Sequence, residues 1–507
     1  MNRPAWVRLD NASNIFLAAR SDADPKVFRI SAEMDHEVDP LLLQAALDEV
    51  YDRYPLYHAV MRRGVFWYYL QDSDLRPVAT QEDEHTCAAL YQVDRRSLLF
   101  RVVHHERRIS LEVFHALSDG TGALWFLTDL LDSYVRLRDP ATAQPQDADP
   151  EAVLLEHPDA PDQAADLHAD PSEAAADALG LTSDSFAHYF RRGRRSDRPT
   201  GDGTAPAHDE AGSGPPTADE TTTTDTPTEG SAAEAAAPSR PRRRPVAVGR
   251  RTVRGVHRVR GTRTPDNRPR LVELSMPATQ VLALARAQGV SMTMYLTGLF
   301  FEAVRLSAGG LGRSQTIAAS VPVNLRQFFP SNSPRNFFAT VRVEHTYGQG
   351  DDDLGAICRN LEEQFGPEAT PEALERKLRR FIRFERMPLL RILPRGLKDV
   401  ILGLVNIANN RGLTVAVSNL GRVALPEPAE SRVRRMMFHV TAVRPQFCSM
   451  SHDGMLTVSF TSPFTETDHV REFARMLAAG GVDVSVAATR VTEDEVAEVT
   501  DGAELRS

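Results

Sequence analysis

Between residues 199 and 239 the chain carries no aromatic residue and no Leu, Ile, Val or Met. Such a stretch cannot bury enough apolar area to offset its chain entropy. Any fold must therefore be built on either side of it. The stretch holds eight acids and no Lys or Arg, and 240–270 that follows holds twelve arginines and one acid, Asp266. We read 196–250 as a disordered insert, acidic and then Arg-rich. A solvated linker is the plain interpretation, and an electrostatic switch or anionic-polymer patch is the functional one. Two folded regions are left, 1–195 and 251–507.

Composition narrows the class. Apolar residues make up 42% of the 507, enough for a substantial core, and the net charge of −10 argues against a nucleic-acid protein. Cys87, Cys358 and Cys448 are few, odd in number and far apart, which points to a reducing compartment and a cytoplasmic location. Residues 1–10 have no apolar core of a leader, and the uncharged stretch 287–301 is too short to span a bilayer. The expectation is a chain with no transmembrane segment, sufficient as a monomer.

Periodicity supplies the elements. In the first region, 26–31 reads as a strand. Asp39-Pro40 reads as an N-cap and first turn before a helix with Leu43, Ala46, Leu47, Val50 and Tyr54 at helical spacing. Strands follow at 64–71, 97–104 and 109–115, the last two forming a hairpin, and then a helix at 122–138. In the second region, helices are expected at 276–289, 293–307, 355–364, 371–387, 389–409 and 468–479. Strands are expected at 315–323, 338–345, 413–418, 434–443 and 456–461. Each region is thus a mixed sheet with helices, an α/β (α+β) sandwich.

Most catalytic motifs are missing. There is no phosphate loop ending in Lys-Ser/Thr, and Gly310-Leu311-Gly312 lacks the third glycine of a dinucleotide fingerprint. His105-Glu106 lacks the second histidine of a zinc helix, and neither Cys-x-x-Cys nor Gly-x-Ser-x-Gly occurs. One constellation stands out: Phe114-His115-Ala116-Leu117-Ser118-Asp119-Gly120, between a strand and a helix. Strand alternation puts His115 on the face of Ile109, Leu111 and Val113. Asp119 can fold back across the loop, and Gly120 permits a tight turn. A histidine held at a strand end is a general base whose pKa lies near working pH. A histidine satisfied by a turn carboxylate is the bland alternative.

This segment resembles the active-site motif of the CoA-dependent acyltransferase superfamily, which spans chloramphenicol acetyltransferase, peptide-synthetase condensation domains and alcohol acetyltransferase-like proteins. Arg53-Tyr54-Pro55-Leu56-Tyr57-His58, Ser320-Val321-Pro322-Val323-Asn324-Leu325-Arg326, Arg335-Asn336-Phe337-Phe338 and Ser418-Asn419-Leu420-Gly421 resemble further segments of that family in the expected order. Phe114 replaces the first histidine of the family's tandem pair, His58 stands where an arginine is common, and Arg335 where a glycine is common. The resemblance implies two chloramphenicol acetyltransferase-like halves, pseudo-dimeric around a central tunnel. It implies transfer of an acyl group from acyl-CoA or an acyl-carrier protein to a small-molecule alcohol or amine. No permanently bound cofactor and no metal are implied. His115 would be the base, Asp119 an orienting group paired with Arg326, and Ser418 or Asn419 a support for the oxyanion. A catalytically inactive docking module is the competing interpretation. Arg376, Lys377, Arg379, Arg380, Arg383 and Arg386 crowd one helix with Phe381 and Phe384 between. They suit CoA phosphates, an acidic carrier protein, or simply solvent.

Overall fold

The computed structural model describes residues 6–9, 13, 16–17, 19–65, 68–93, 95–139, 186, 189, 255–264, 268–311, 315–385, 395–441 and 443–488. The expected insert at 196–250 lies outside the described residues. In the first region the chain forms β1 (Trp6–Arg8), β2 (Val27–Met34), α1 (Pro40–Tyr51), β3 (Ala59–Arg63) and β4 (Tyr68–Asp72). It continues through β5 (Thr80–Gln81), β6 (Phe100–His105), β7 (Arg108–Phe114) and α2 (Gly120–Arg138). Asp39 caps α1 as its position implies, accepting from the backbone of Leu41 at 2.9 Å. The expected strand 64–71 corresponds to β4 alone, and β4 pairs with the unexpected β3 as an antiparallel hairpin, with β1 on the outer side of β4.

The second region forms β8 (Arg270–Pro277), α3 (Ala278–Ala287), α4 (Met292–Ser307), β9 (Thr316–Asn324) and β10 (Phe338–Thr346). Helices α5 (Leu354–Glu368), α6 (Pro371–Glu385) and α7 (Arg395–Arg411) follow. The chain then runs through β11 (Val415–Val423), α8 (Ala429–Arg432), β12 (Val433–Val440), β13 (Gln446–His452), β14 (Met455–Ser462), α9 (Asp468–Ala479) and β15 (Ser485–Ala488). Four of these have no expected counterpart: β8, α8, β13 and β15. Residues 270–277 form a strand where a helix was expected to start at 276, because Val272, Leu274 and Met276 alternate onto one buried face. Strand β13 went unread because Gln446, Cys448, Ser449, Ser451 and His452 look like loop residues, although all but Ser451 are buried.

Two mixed sheets carry the molecule, so the α/β expectation holds. The first has the order β12-β2-β7-β6-β5 and the second β10-β9-β11-β13-β14-β8-β15. Each has its own apolar core, with α1 and α2 covering the first and α4, α5 and α9 closing over the second. The sheets are joined by exchange. Strand β12 leaves the second region and pairs antiparallel with β2, from Val433 opposite Met34 to Val440 opposite Phe28. It also packs on β13 and β14 of the second sheet.

At that crossing sits Glu273 of β8, buried between the layers. Arg108 of β7 donates to both its carboxylate oxygens at 3.0 and 2.8 Å, and His439 of β12 lies 3.3 Å away. Burial alone would raise the Glu273 carboxyl, but His439 and Arg108 outweigh it and hold its pKa at about 2. The folded state therefore gains stability from this charge above the ordinary glutamate value, and loses it as the pH falls from there towards 2. We expect about 3 kcal/mol to disappear over that window. In Glu273→Gln that acid-limb loss should be absent from urea unfolding measured between pH 5 and pH 2, two conditions that span the window.

Candidate active site

His115 follows the last residue of β7. Its backbone N–H still donates to the Lys26 carbonyl at 2.8 Å, so the β2–β7 ladder seats it before the chain turns. The turn closes when Leu117 N–H donates to the Phe114 carbonyl at 2.8 Å. Asp119 then caps α2, its Oδ1 accepting from Gly122 N–H at 2.9 Å. Ser118 is buried and donates to the Pro334 carbonyl, which ties the turn to the second region.

The other oxygen of Asp119 faces that region too. Its Oδ2 accepts from Arg326 Nη1 at 2.8 Å and from the backbone N–H of Phe337 at 2.8 Å. Arg326, on the short 3₁₀ turn Leu325–Gln327 after β9, also donates from Nη2 to the carbonyls of Ser333 and Arg335 at 2.8 and 2.6 Å. Its guanidinium lies 5.2 Å from the Trp125 ring centroid. Asp119 thus reaches across to the second region and makes no hydrogen bond to His115. The carboxylate and the guanidinium together hold α2 against 326–337.

That loop delivers Asn336 to the histidine. Asn336 Oδ1 lies 3.2 Å from His115 Nδ1. Its amide nitrogen donates to the His115 carbonyl at 2.7 Å and to Ser13 Oγ at 2.9 Å. With both amide hydrogens engaged, the oxygen must face the ring, so Nδ1 carries the proton and donates. The lone pair is then left on Nε2, and among the described residues nothing hydrogen-bonds to it. Phe16 stacks on the imidazole, centroids 3.9 Å apart and planes 13° apart, while Phe28 meets it edge-on at 5.1 Å. Phe338 stands at 5.7 Å. This burial pushes the His115 pKa below its ordinary value, against the pull of its own carbonyl, Asp119 and Asn336. The ring is neutral at pH 7.

Gly120 takes an ordinary φ. It is the first residue of α2, and a Cβ there would stand 2.7 Å from Leu420 Cδ2. The tighter approach is at Gly122, where a Cβ would stand 2.2 Å from the Pro334 carbonyl oxygen. Leu420 belongs to β11, so the 418–421 segment lies against the start of α2. Strands β9 and β11 run parallel for two pairs, Ala319 with Val415 and Ser320 with Ala416. Beyond Ala416, β11 pairs with β13 and bulges between Asn419 and Arg422. Asn419 donates to Thr293 Oγ1 at 2.9 Å and accepts from Gly421 N–H at 2.8 Å, so its carboxamide shapes the bulge. Ser418 is half-buried beside it.

Other residues singled out lie elsewhere. His58 Nε2 bonds the Tyr51 carbonyl at 2.8 Å inside the aromatic packing of the first core. His452 is buried between the carbonyls of Val423 and Val433. The three cysteines are buried and unpaired. Sequence reading gave no role to Asn336, although it stands in the quoted 335–338 segment, and no signal marked Phe16 or Ser13, which meet His115 by folding alone. Among the described residues no group of three His, Cys, Asp or Glu side chains is placed to hold a metal ion, and no helix is long and apolar enough to cross a membrane.

No family model matches the chain, and no curated protein matches it. Solved structures do. TRI101 of F. sporotrichioides, complexed with coenzyme A and T-2, aligns with a TM-score of 0.53 at 11% identity, covering 94% of this chain and 97% of that one. The trichothecene 15-O-acetyltransferase TRI3 of the same fungus aligns with a TM-score of 0.51 at 11% identity over 94% of both chains. The first condensation domain of the calcium-dependent antibiotic synthetase aligns with a TM-score of 0.51 at 12% identity, covering 95% and 98%.

Gly122→Ala tests how tightly the two regions meet at this loop. The added methyl has backbone, not a movable side chain, in its way, so we expect a loss of about 1–3 kcal/mol. Differential scanning calorimetry against wild type reads it directly.

Proposed function

Since the chain has the fold shared by CoA-dependent acetyltransferases and condensation domains, we propose that it is an acyltransferase acting through His115. The carrying observation is the imidazole itself, neutral, clamped by Phe16 and Asn336, with its Nε2 lone pair left over. The donor is a thioester, acyl-CoA or an acyl-carrier protein, and the acceptor an alcohol or amine, with an alcohol favoured as in an alcohol acetyltransferase.

Nε2 removes the proton as the acceptor oxygen attacks the thioester carbonyl carbon. The tetrahedral oxyanion collapses, the carbon–sulfur bond breaks, and the imidazolium returns its proton to the departing thiolate. Ester and free thiol result, and no acyl-enzyme is needed. Asp119 and Arg326 act as positioning groups, because their hydrogen bonds are spent on each other and on backbone. Ser418 donates to the oxyanion, since the Asn419 carboxamide is committed to its bulge. Proximity of two bound reactants at one base supplies much of the rate.

Mass spectrometry after incubation with acetyl-CoA, longer acyl-CoAs and a pool of alcohols and amines identifies the product. His115→Ala should lower kcat/KM by about 10²–10⁴. A loss under about tenfold would show that another group takes the proton. Because burial depresses the imidazole pKa, kcat/KM should stay level as the pH drops past 6.5 and fall below that. Asn336→Leu removes the acceptor for Nδ1–H. We expect about a tenfold loss in kcat/KM with the fold retained. In the same variant, ¹⁵N resonances of the His115 ring should report a mixture of tautomers in place of one.

A further inference from the structure

Helix α7 turns much of its aliphatic surface to solvent. At about 100° per residue, Leu397, Val400, Leu404 and Ile407 share one face, while Asp399, Asn406 and Asn410 share the opposite one. The apolar face is the one turned to solvent: Val400 is 58% and Leu404 61% exposed, with Leu397, Val405 and Ile407 close behind. The other side is half-buried and mixed, with Ile401 and Leu402 beside the polar residues, and on it Asp399 accepts from Tyr68 of β4 at 3.0 Å. Five of the eleven large apolar residues exposed among those described lie on this one helix. Scattered surface leucines need no explanation, but a continuous aliphatic face does.

The neighbourhood is cationic. Lys377 of α6 donates to the Thr340 carbonyl of β10, and Arg342 of the same strand donates to the Gly412 carbonyl just after α7 at 3.2 Å. Both helices are therefore anchored on one edge strand, two residues apart. Arg376 and Arg380 of α6, one turn apart, are exposed, as is Arg411 at the end of α7. From 376 to 411 the sequence carries ten Lys and Arg against two acids, in a chain whose net charge is −10.

We infer that α7 and the exposed cations of α6 form a docking surface for an anionic phospholipid membrane. Exposed aliphatic side chains along a helix, with cations nearby, match the interfacial helix that lies in the plane of a bilayer. A second copy of this chain fits less well, because a two-fold contact would set this basic region against itself. The acidic stretch 199–239 has the complementary charge but no large apolar residue to cover the face. This inference is independent of acyl transfer.

The test is co-sedimentation of the full chain with vesicles of equimolar phosphatidylglycerol and phosphatidylcholine, and with phosphatidylcholine alone. We expect binding to the anionic vesicles, weaker by about tenfold or more on the neutral ones and falling with salt. Replacing Leu397→Ser, Val400→Ser and Leu404→Ser together should abolish binding with the melting temperature unchanged, since all three sites are exposed. Arg376→Gln with Arg380→Gln should weaken binding and flatten its salt dependence. No binding to either vesicle overturns the inference, as does binding that the triple serine variant retains. A wild-type dimer in sedimentation that the triple variant dissociates also overturns it, by assigning the face to self-association.

Discussion

The buried pair of Asp119 and Arg326 is the joint on which the site depends. Taking two charges out of water is costly, and hydrogen bonds to most of their remaining donors and acceptors offset that cost. Here the carboxylate accepts from Arg326, from the Phe337 backbone and from its own helix N-terminus, while the guanidinium holds two carbonyls of 333–335. The pair therefore organises backbone on both sides. It seats the start of α2, and it shapes the loop that carries Asn336.

His115 receives its chemistry from that arrangement rather than from a charged partner. Asn336 is neutral, so it orients the ring while raising its basicity less than a hydrogen-bonded carboxylate would. The aromatic rings of Phe16, Phe28 and Phe338 strip water from it and disfavour the imidazolium. A base with a depressed pKa is in its working form at neutral pH, and its conjugate acid readily returns the proton. Both properties suit a reaction that takes a proton from one reactant and gives it to the departing thiolate.

The joining of the two sheets repeats the same physics on a larger scale. Strand β12 belongs by sequence to the second region and by hydrogen bonding to the first sheet. The layer between is polar, with Glu273, Arg108, Arg435 and His439 meeting where an apolar seam would be the simpler solution. Charge also divides the surface: the acids dominate overall, yet α6 and α7 gather cations around an aliphatic face.

Much of this was legible in one dimension. Local rules place an N-cap at Asp39, a helix over 468–479, a hairpin ending at His115 and a capped helix start just after it, because each depends on residues within a few positions. They failed where a strand is buried on both faces by distant chain, as in β8 and β13. The sequence by itself determined that a histidine would stand at a strand end before a capped helix, within a mixed α/β chain. The tertiary structure alone decided which tautomer that histidine adopts and which rings enclose it. Ser13, Phe16 and Asn336 lie up to 221 positions from it, and only long-range packing brings such residues within hydrogen-bonding and stacking distance.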